Sequence, residues 1–235
     1  MTVIYQGNQL KIILTDIEGT TTDLSFVHEV LFPYSAKHLS DWVRTHLELS
    51  IIQDILEQVR EISNQSNLDV EGCLSKLMTW QTEDRKITPL KTLQGLIWEK
   101  GYNSGDLKAH VYPDVVECLQ RWYAAGLTIA VYSSGSITAQ KLLFRNTLMG
   151  DLTPLFSMYF DTTTGSKTES QSYLIIAHKL IVLPQEILFL SDSPKELAAA
   201  STANLNVCGL NRQTTARVDN SMYVTNFSQI PLEFL

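Results

Sequence analysis

Cysteine is scarce in this chain of 235 residues. The three present, Cys73, Cys118 and Cys208, lie 45 and 90 residues apart (118 − 73 and 208 − 118). That is neither a disulfide framework nor zinc-ligand spacing, so a reducing cytoplasm is the expected compartment and the thiols read as core or surface side chains. Positive charge is also short. Lys and Arg number 18 against 25 Asp and Glu, a formal net charge of −7, and no basic run is present. A general nucleic-acid binder, which needs clustered Lys and Arg, is thereby excluded. A small anion remains open to a focused site of a cation or aligned backbone N–H groups. No apolar run approaches the roughly 20 residues of a membrane span, so no membrane contact is expected. The first residues, Met1-Thr-Val-Ile-Tyr-Gln-Gly, lack the basic head and long apolar stretch of a secretory leader. Five histidines show no HxH or HExxH spacing, which argues against zinc. There is no repeat, low-complexity tract or charge run.

What is present is ordinary globular composition, 44% hydrophobic and 18% charged, on a chain long enough for one large domain or a core with an insertion. Short β-rich apolar runs stand at Leu10–Thr15, Leu127–Tyr132 and Ile187–Leu190, with further candidates at Leu205–Leu210 and Met158–Phe160. Near-continuous apolar runs suit parallel strands buried on both faces. Between them, helical patterns fall at Val115–Ala125, Thr138–Phe144, Thr168–Leu180 and Pro194–Ala200. The alternation predicts an α/β fold with a Rossmann-like parallel sheet. Residues 24–108 differ: helical periodicity recurs at Phe26, Val30 and Leu31, at Ile51, Ile55, Leu56 and Val59, at Leu74, Leu77 and Met78, and at Leu93, Leu96 and Ile97, with no convincing strand. The expected organisation is an α/β catalytic core of residues 1–23 and 109–235, with 24–108 as an inserted helical cap over the C-terminal edge of the sheet.

Ligands of open α/β sheets bind beyond the carboxyl ends of strands. There the sequence places Asp16-Ile-Glu-Gly-Thr20, Ser133-Ser-Gly-Ser136, Lys167 and Ser191-Asp192-Ser-Pro-Lys-Glu196. Two acids two positions apart past a buried strand can face one pocket, one attacking and the other handling protons. Gly19 allows a tight turn whose exposed N–H groups could hold phosphate oxygens. Ser133 and Ser134 precede a helix N-terminus, an anion site. Lys167 opens a predicted helix, a poor place for a cation unless it pairs a carboxylate and a phosphate. Asp192 can join Asp16 in holding Mg²⁺, which prefers oxygen ligands and keeps several waters. Each element alone has a plain reading as a cap or turn; their order is more specific.

That order (acid pair, serine, lysine, acid) resembles the haloacid-dehalogenase-like phosphohydrolases. Asp16-Ile-Glu-Gly-Thr-Thr-Thr, Ser25-Phe-Val, Leu31-Phe-Pro-Tyr34, Leu93-Gln-Gly-Leu-Ile-Trp98, Val131-Tyr-Ser-Ser-Gly-Ser136, Ala139-Gln-Lys-Leu-Leu-Phe144, Gly150-Asp-Leu-Thr153 and Tyr159-Phe-Asp-Thr162 narrow it. They look like the enolase-phosphatase (acireductone synthase) family of methionine salvage, and the resemblance runs from about Ile12 to Ala200 with the insertion included. Glu18 is the best single marker, since most of the superfamily has Asp there. The resemblance implies an aspartyl-phosphate on Asp16 and acid–base work by Glu18. It implies substrate phosphate held by Ser133, Ser134 and Lys167, with Lys167 also orienting the nucleophile. One Mg²⁺ per chain would be held by Asp16, the Glu18 main chain and Asp192, with Glu196 a candidate partner of these groups. The implied reaction turns 2,3-diketo-5-methylthiopentyl-1-phosphate into acireductone plus phosphate, carried out by a cytoplasmic monomer with a small-molecule phosphate as its partner. Glu18, Glu99 and His28 are candidates for the enolisation base, and Phe26, Phe32, Tyr34 and Trp98 for the cap lining. The alternative is a phosphatase of the same superfamily acting on another small phosphate ester.

Overall fold

A computed structural model of the chain describes residues 1–212 and 223–235; residues 213–222, part of the predicted core, lie outside the described residues. The chain divides into two compact units, Met1–Leu24 with Ala109–Leu235, and Ser25–Lys108. Among the described residues, no helix is long and apolar enough to cross a membrane.

The first unit is α/β. Its main sheet has six strands: β3 (Ile12–Thr15), β4 (Thr128–Tyr132), β5 (Met158–Phe160), β6 (Ile187–Ser191), β7 (Asn206–Leu210) and β8 (Tyr223–Val224). All pairings are parallel and the order is β5-β4-β3-β6-β7-β8. β3 and β6 are buried at every position, which explains their unbroken apolar sequences: both faces are covered. The covering helices are α5 (Pro113–Ala124), α6 (Ile137–Arg145), α7 (Ser170–Leu180) and α8 (Pro194–Thr202). On one face Tyr132, Phe160, Tyr173, Ile176, Phe189, Leu197 and Ala200 form a closed apolar cluster. Each large side chain so buried contributes on the order of 1.5–3 kcal/mol.

The predicted Leu10–Thr15 run proves to be two strands. Val3–Tyr5 (β1) turns at Gln6 and Gly7, both at positive φ, into Asn8–Leu10 (β2), and Glu233–Phe234 (β9) pairs on the far side of β1. Lys11 separates β2 from β3; its N–H donates to the Glu186 carbonyl at 2.9 Å and its ammonium pairs with the Glu186 carboxylate at 2.7 Å. This antiparallel sheet was not legible because its strands are only two or three residues long.

The second unit holds a π-helical turn, Phe26–Leu31, and four helices: α1 (Phe32–Thr45), α2 (Ser50–Ser63), α3 (Val70–Thr82) and α4 (Thr88–Ser104). Asp69 caps α3 by accepting the Gly72 N–H at 2.7 Å, and Asn64 and Gly105 end α2 and α4 in the left-handed conformation. Leu39, Val43, Ile52, Ile55, Leu56, Val59, Leu74, Leu77, Leu93 and Ile97 share one core. Val30, Ile51 and Met78, counted by periodicity toward that core, are exposed instead. An apolar stripe wider than the buried seam is common on bundle helices.

Candidate active site

Four neighbouring parallel strands, β5, β4, β3 and β6, end at one edge of the sheet, and the residues that follow them build the site. The parallel register sets Thr15 level with Val131 and with Leu190, and the Asp16 N–H continues the ladder to the Leu190 carbonyl at 2.9 Å. Asp16 is thus held by β-ladder geometry and is nearly inaccessible, 5% exposed. The loop beyond it is wound tightly: the Ile17 carbonyl accepts the N–H groups of Thr20, Thr21 and Thr22, and the Gly19 N–H donates to the Thr22 carbonyl. Gly19 sits at φ +70°, and a Cβ there would come 2.3 Å from Asp192 Oδ2. No residue with a side chain fits that position without displacing the carboxylate.

Lys167 lies in a turn three residues ahead of α7 rather than opening the helix as predicted. Its loop is anchored by side-chain bonds to consecutive carbonyls. Tyr132 donates to Gly165 at 3.0 Å, Ser172 to Ser166 at 2.7 Å and Tyr173 to Lys167 at 2.7 Å. The Lys167 ammonium meets Asp16 Oδ1 at 2.6 Å and Glu196 Oε2 at 2.7 Å, with little of any of the three side chains exposed. Burial pulls the Lys167 pKa down, but the charges of Asp16 and Glu196 outweigh it and hold the ammonium above its ordinary value. The Glu196 carboxylate also accepts the Ser191 hydroxyl at 2.9 Å.

Asp192 is placed by its own N–H, which donates to Thr20 Oγ1 at 3.0 Å. Its pKa is raised, first by burial and then by the negative charge of Asp16. Glu196 is raised for the same two reasons, against the lowering effect of Lys167. Three carboxylates therefore face one ammonium, a formal charge of −2 if all are ionised, and this deficit of positive charge fits a divalent cation. The donors are hard oxygens, which suits Mg²⁺. Among the described residues no cluster of three or more His, Cys, Asp or Glu has metal-cage geometry.

Ser133 is buried, continues the β4–β5 ladder through its N–H to Phe160, and accepts the Gly135 N–H on its hydroxyl at 3.2 Å. Ser134 is exposed, and Ser136 is the residue that caps α6. The chain turns through 133–136 with Gln140 as its buried brace, its amide donating to the carbonyls of Gly135 and Phe160. Glu18 is half-buried in the loop after Asp16. His28 and Glu99 belong to the helical unit, where both are exposed. The aromatics considered for the lining pack within that unit: Phe26 is buried, Phe32 stacks on Trp98, whose indole donates to the Leu31 carbonyl, and Tyr34 donates to Asp106. Sequence reasoning weighed Glu196 only as an outer partner and missed Gln140 and Thr20. The strand-end rule reached the Thr20 loop and the turn before α6, the helix that carries Gln140, but which side chain faced inward depended on the turn.

An acid past the first core strand, an anchored lysine and a second acid past the neighbouring strand β6 define a class. The chain belongs to the haloacid dehalogenase-like hydrolases, whose family model matches residues 10–204. It is 54% identical over 224 residues to Enolase-phosphatase E1 of Pseudomonas fluorescens (strain Pf0-1), covering 95% of this chain and 98% of the relative. It is 50% identical over 226 residues to Enolase-phosphatase E1 of Sulfurihydrogenibium sp. (strain YO3AOP1), covering 95% and 98%. The crystal structure of UTR4 protein from Saccharomyces cerevisiae superposes with a TM-score of 0.80 at 34% identity, covering 94% of this chain and 99% of that one. Within its class, the chain belongs to the enolase-phosphatase E1 family.

Proposed function

We propose that the protein converts 2,3-diketo-5-methylthiopentyl-1-phosphate to acireductone and phosphate in methionine salvage, as the names and near-full-length similarity of its relatives support. The observation that carries the phosphoryl chemistry is the buried Asp16–Lys167 pair beside Asp192. In this reading Asp16 attacks phosphorus and becomes an aspartyl-phosphate. Lys167 keeps the attacking carboxylate aimed and neutralises charge on the transferring oxygens. Ser133 holds those oxygens through its hydroxyl, and Ser134 through hydroxyl and backbone N–H. Glu18 gives a proton to the departing enolate oxygen and then takes one from the water that cleaves the acyl phosphate. Glu18 is also the candidate base for enolisation within the α/β unit. One Mg²⁺ per chain, held by Asp16, Asp192 and the Glu18 carbonyl, would supply charge neutralisation at phosphorus and polarisation of a substrate carbonyl. The helical unit, inserted directly after the Asp16 loop, serves as the cap that excludes water and selects the methylthio end. The reading includes a monomer working in the cytoplasm.

The test is a panel of small phosphate esters that includes the diketone phosphate, with phosphate release and growth of enediol ultraviolet absorption followed separately. Both signals are expected with the diketone phosphate. Phosphate without an enol product, or equal turnover of unrelated esters, would leave a plain phosphatase. Excess chelator is expected to stop turnover, and added Mg²⁺ to restore it. Undiminished rates in chelator would remove the cation from the scheme.

A further inference from the structure

The C-terminal end of β7 carries a buried cation that the catalytic reading leaves unused. The Arg212 side chain is 7% exposed. Its Nε and Nη2 both donate to one acceptor, the Thr20 carbonyl, at 3.0 and 2.7 Å. Its Nη1 donates to Asp114 Oδ2 at 2.8 Å and reaches the Thr225 carbonyl at 3.5 Å. The guanidinium carbon lies 4.3 Å from the Tyr112 ring centroid and 5.2 Å from that of Phe227. The Asp114 oxygen that holds Arg212 also accepts the Phe227 N–H at 2.8 Å. A planar fork held by a carboxylate and stacked on aromatic rings fixes its target in direction as well as distance, which a lysine cannot do.

The target is a critical one. Thr20 takes the Asp192 N–H on its hydroxyl, and the neighbouring backbone at Gly19 is the surface against which the Asp192 carboxylate rests. Asp16 lies four residues earlier on the same loop. Moving Thr20 therefore moves Asp192 relative to Asp16, while Asp16 stays on the β-ladder through its own N–H. We propose that Arg212, anchored by Asp114, is a positioning residue that sets the separation of the Asp16 and Asp192 carboxylates and so the affinity of the pair for a divalent cation. The inference rests on the reading of those two carboxylates as cation ligands.

The experiment is Mn²⁺ binding to the full chain, followed by the electron paramagnetic resonance signal of unbound Mn²⁺ and paired with a thermal melt in chelator. Arg212→Ala is expected to weaken Mn²⁺ by about tenfold or more, as loss of groups that orient metal ligands does. Arg212→Lys should recover part of that loss, and Asp114→Asn should weaken binding in the same direction by less. A role confined to stability would lower the melting temperature in chelator and leave Mn²⁺ binding within twofold of the unaltered chain, which overturns the inference. If Arg212→Ala does not fold, Asp114→Asn decides by the same criterion. Asp192→Asn separates the two claims. If the unaltered chain fails to bind Mn²⁺, or Asp192→Asn binds it equally well, the cation reading and the inference fall together. Weak binding by Asp192→Asn with undisturbed binding by the Arg212 and Asp114 variants overturns the inference alone.

Discussion

The helical unit buries two polar side chains among its described residues, Ser35 and Gln94. Among its described residues the α/β unit buries Thr15, Asp16, Thr20, Thr21, Thr22, Ser133, Gln140, Thr147, Asp161, Thr164, Lys167, Ser172 and Ser191, many of them at or just past strand ends. Ser35 donates to the Phe32 carbonyl within its own helix and accepts from Gln81, an ordinary way to satisfy a hydroxyl. The α/β residues instead form a connected system in which Lys167 is shared by Asp16 and Glu196 and Thr20 links two loops. Burying charge costs free energy that apolar packing does not, so a unit that retains it carries chemistry. A unit that avoids it is built for shape.

The comparison breaks most visibly at Asp16. Asp16→Asn is expected to lower phosphate release by about 10⁴-fold or more, in the range seen when a nucleophile is removed, with the melting temperature preserved. Normal turnover in that variant would falsify the assignment of the nucleophile. Next is Lys167→Met, which strands Asp16 and Glu196 without their cation. With divalent ions chelated, urea unfolding should show a loss of about 3–5 kcal/mol, and a loss below about 1 kcal/mol would mean the triad is not a buried charge system. In the helical unit Leu56, fully buried, should respond only through volume. Leu56→Ala is expected to cost about 2–5 kcal/mol by cavity formation. Three of the four tryptophans (Trp42, Trp80 and Trp98) report on that unit, so the loss is readable by fluorescence. An Ala variant as stable as the original would contradict a close-packed bundle. The smallest effect is expected at Ile181, which ends α7 at φ +58° with its side chain 90% exposed. Ile181→Gly should stabilise by about 1 kcal/mol, a rise in melting temperature of about 2–4 °C, because the left-handed conformation penalises a β-branched residue. Ile181→Ala, which keeps a Cβ, should recover less; equal gains would point away from backbone strain.

How much of this was legible depended on the length scale of the signal. Strands β3, β4, β6 and β7 announced themselves because burial on both faces demands unbroken apolar runs, and the long helices because a buried stripe imposes a period. The β1–β2–β9 sheet did not, since strands of two or three residues have no period. Lys167 was found by its position in the order of motifs, although the helix it was expected to open begins only at Ser170. Arg212 follows a strand-like run, Leu205–Leu210, but was not among the strand-end residues singled out; its partners Thr20 and Asp114 are 192 and 98 residues away, beyond any local pattern.

By itself the sequence determined the alternation of strands and helices and the set of oxygen and nitrogen groups available at strand ends. These follow from local physics: periodicity, propensity and composition act over a few residues. Only the tertiary structure decided that Glu196 shares Lys167 with Asp16, that Asp192 leans on Gly19, and that an arginine from the far end of the chain grips Thr20. Those choices depend on the register and twist of a parallel sheet, which bring distant loops within a hydrogen bond's length, and no segment encodes them alone.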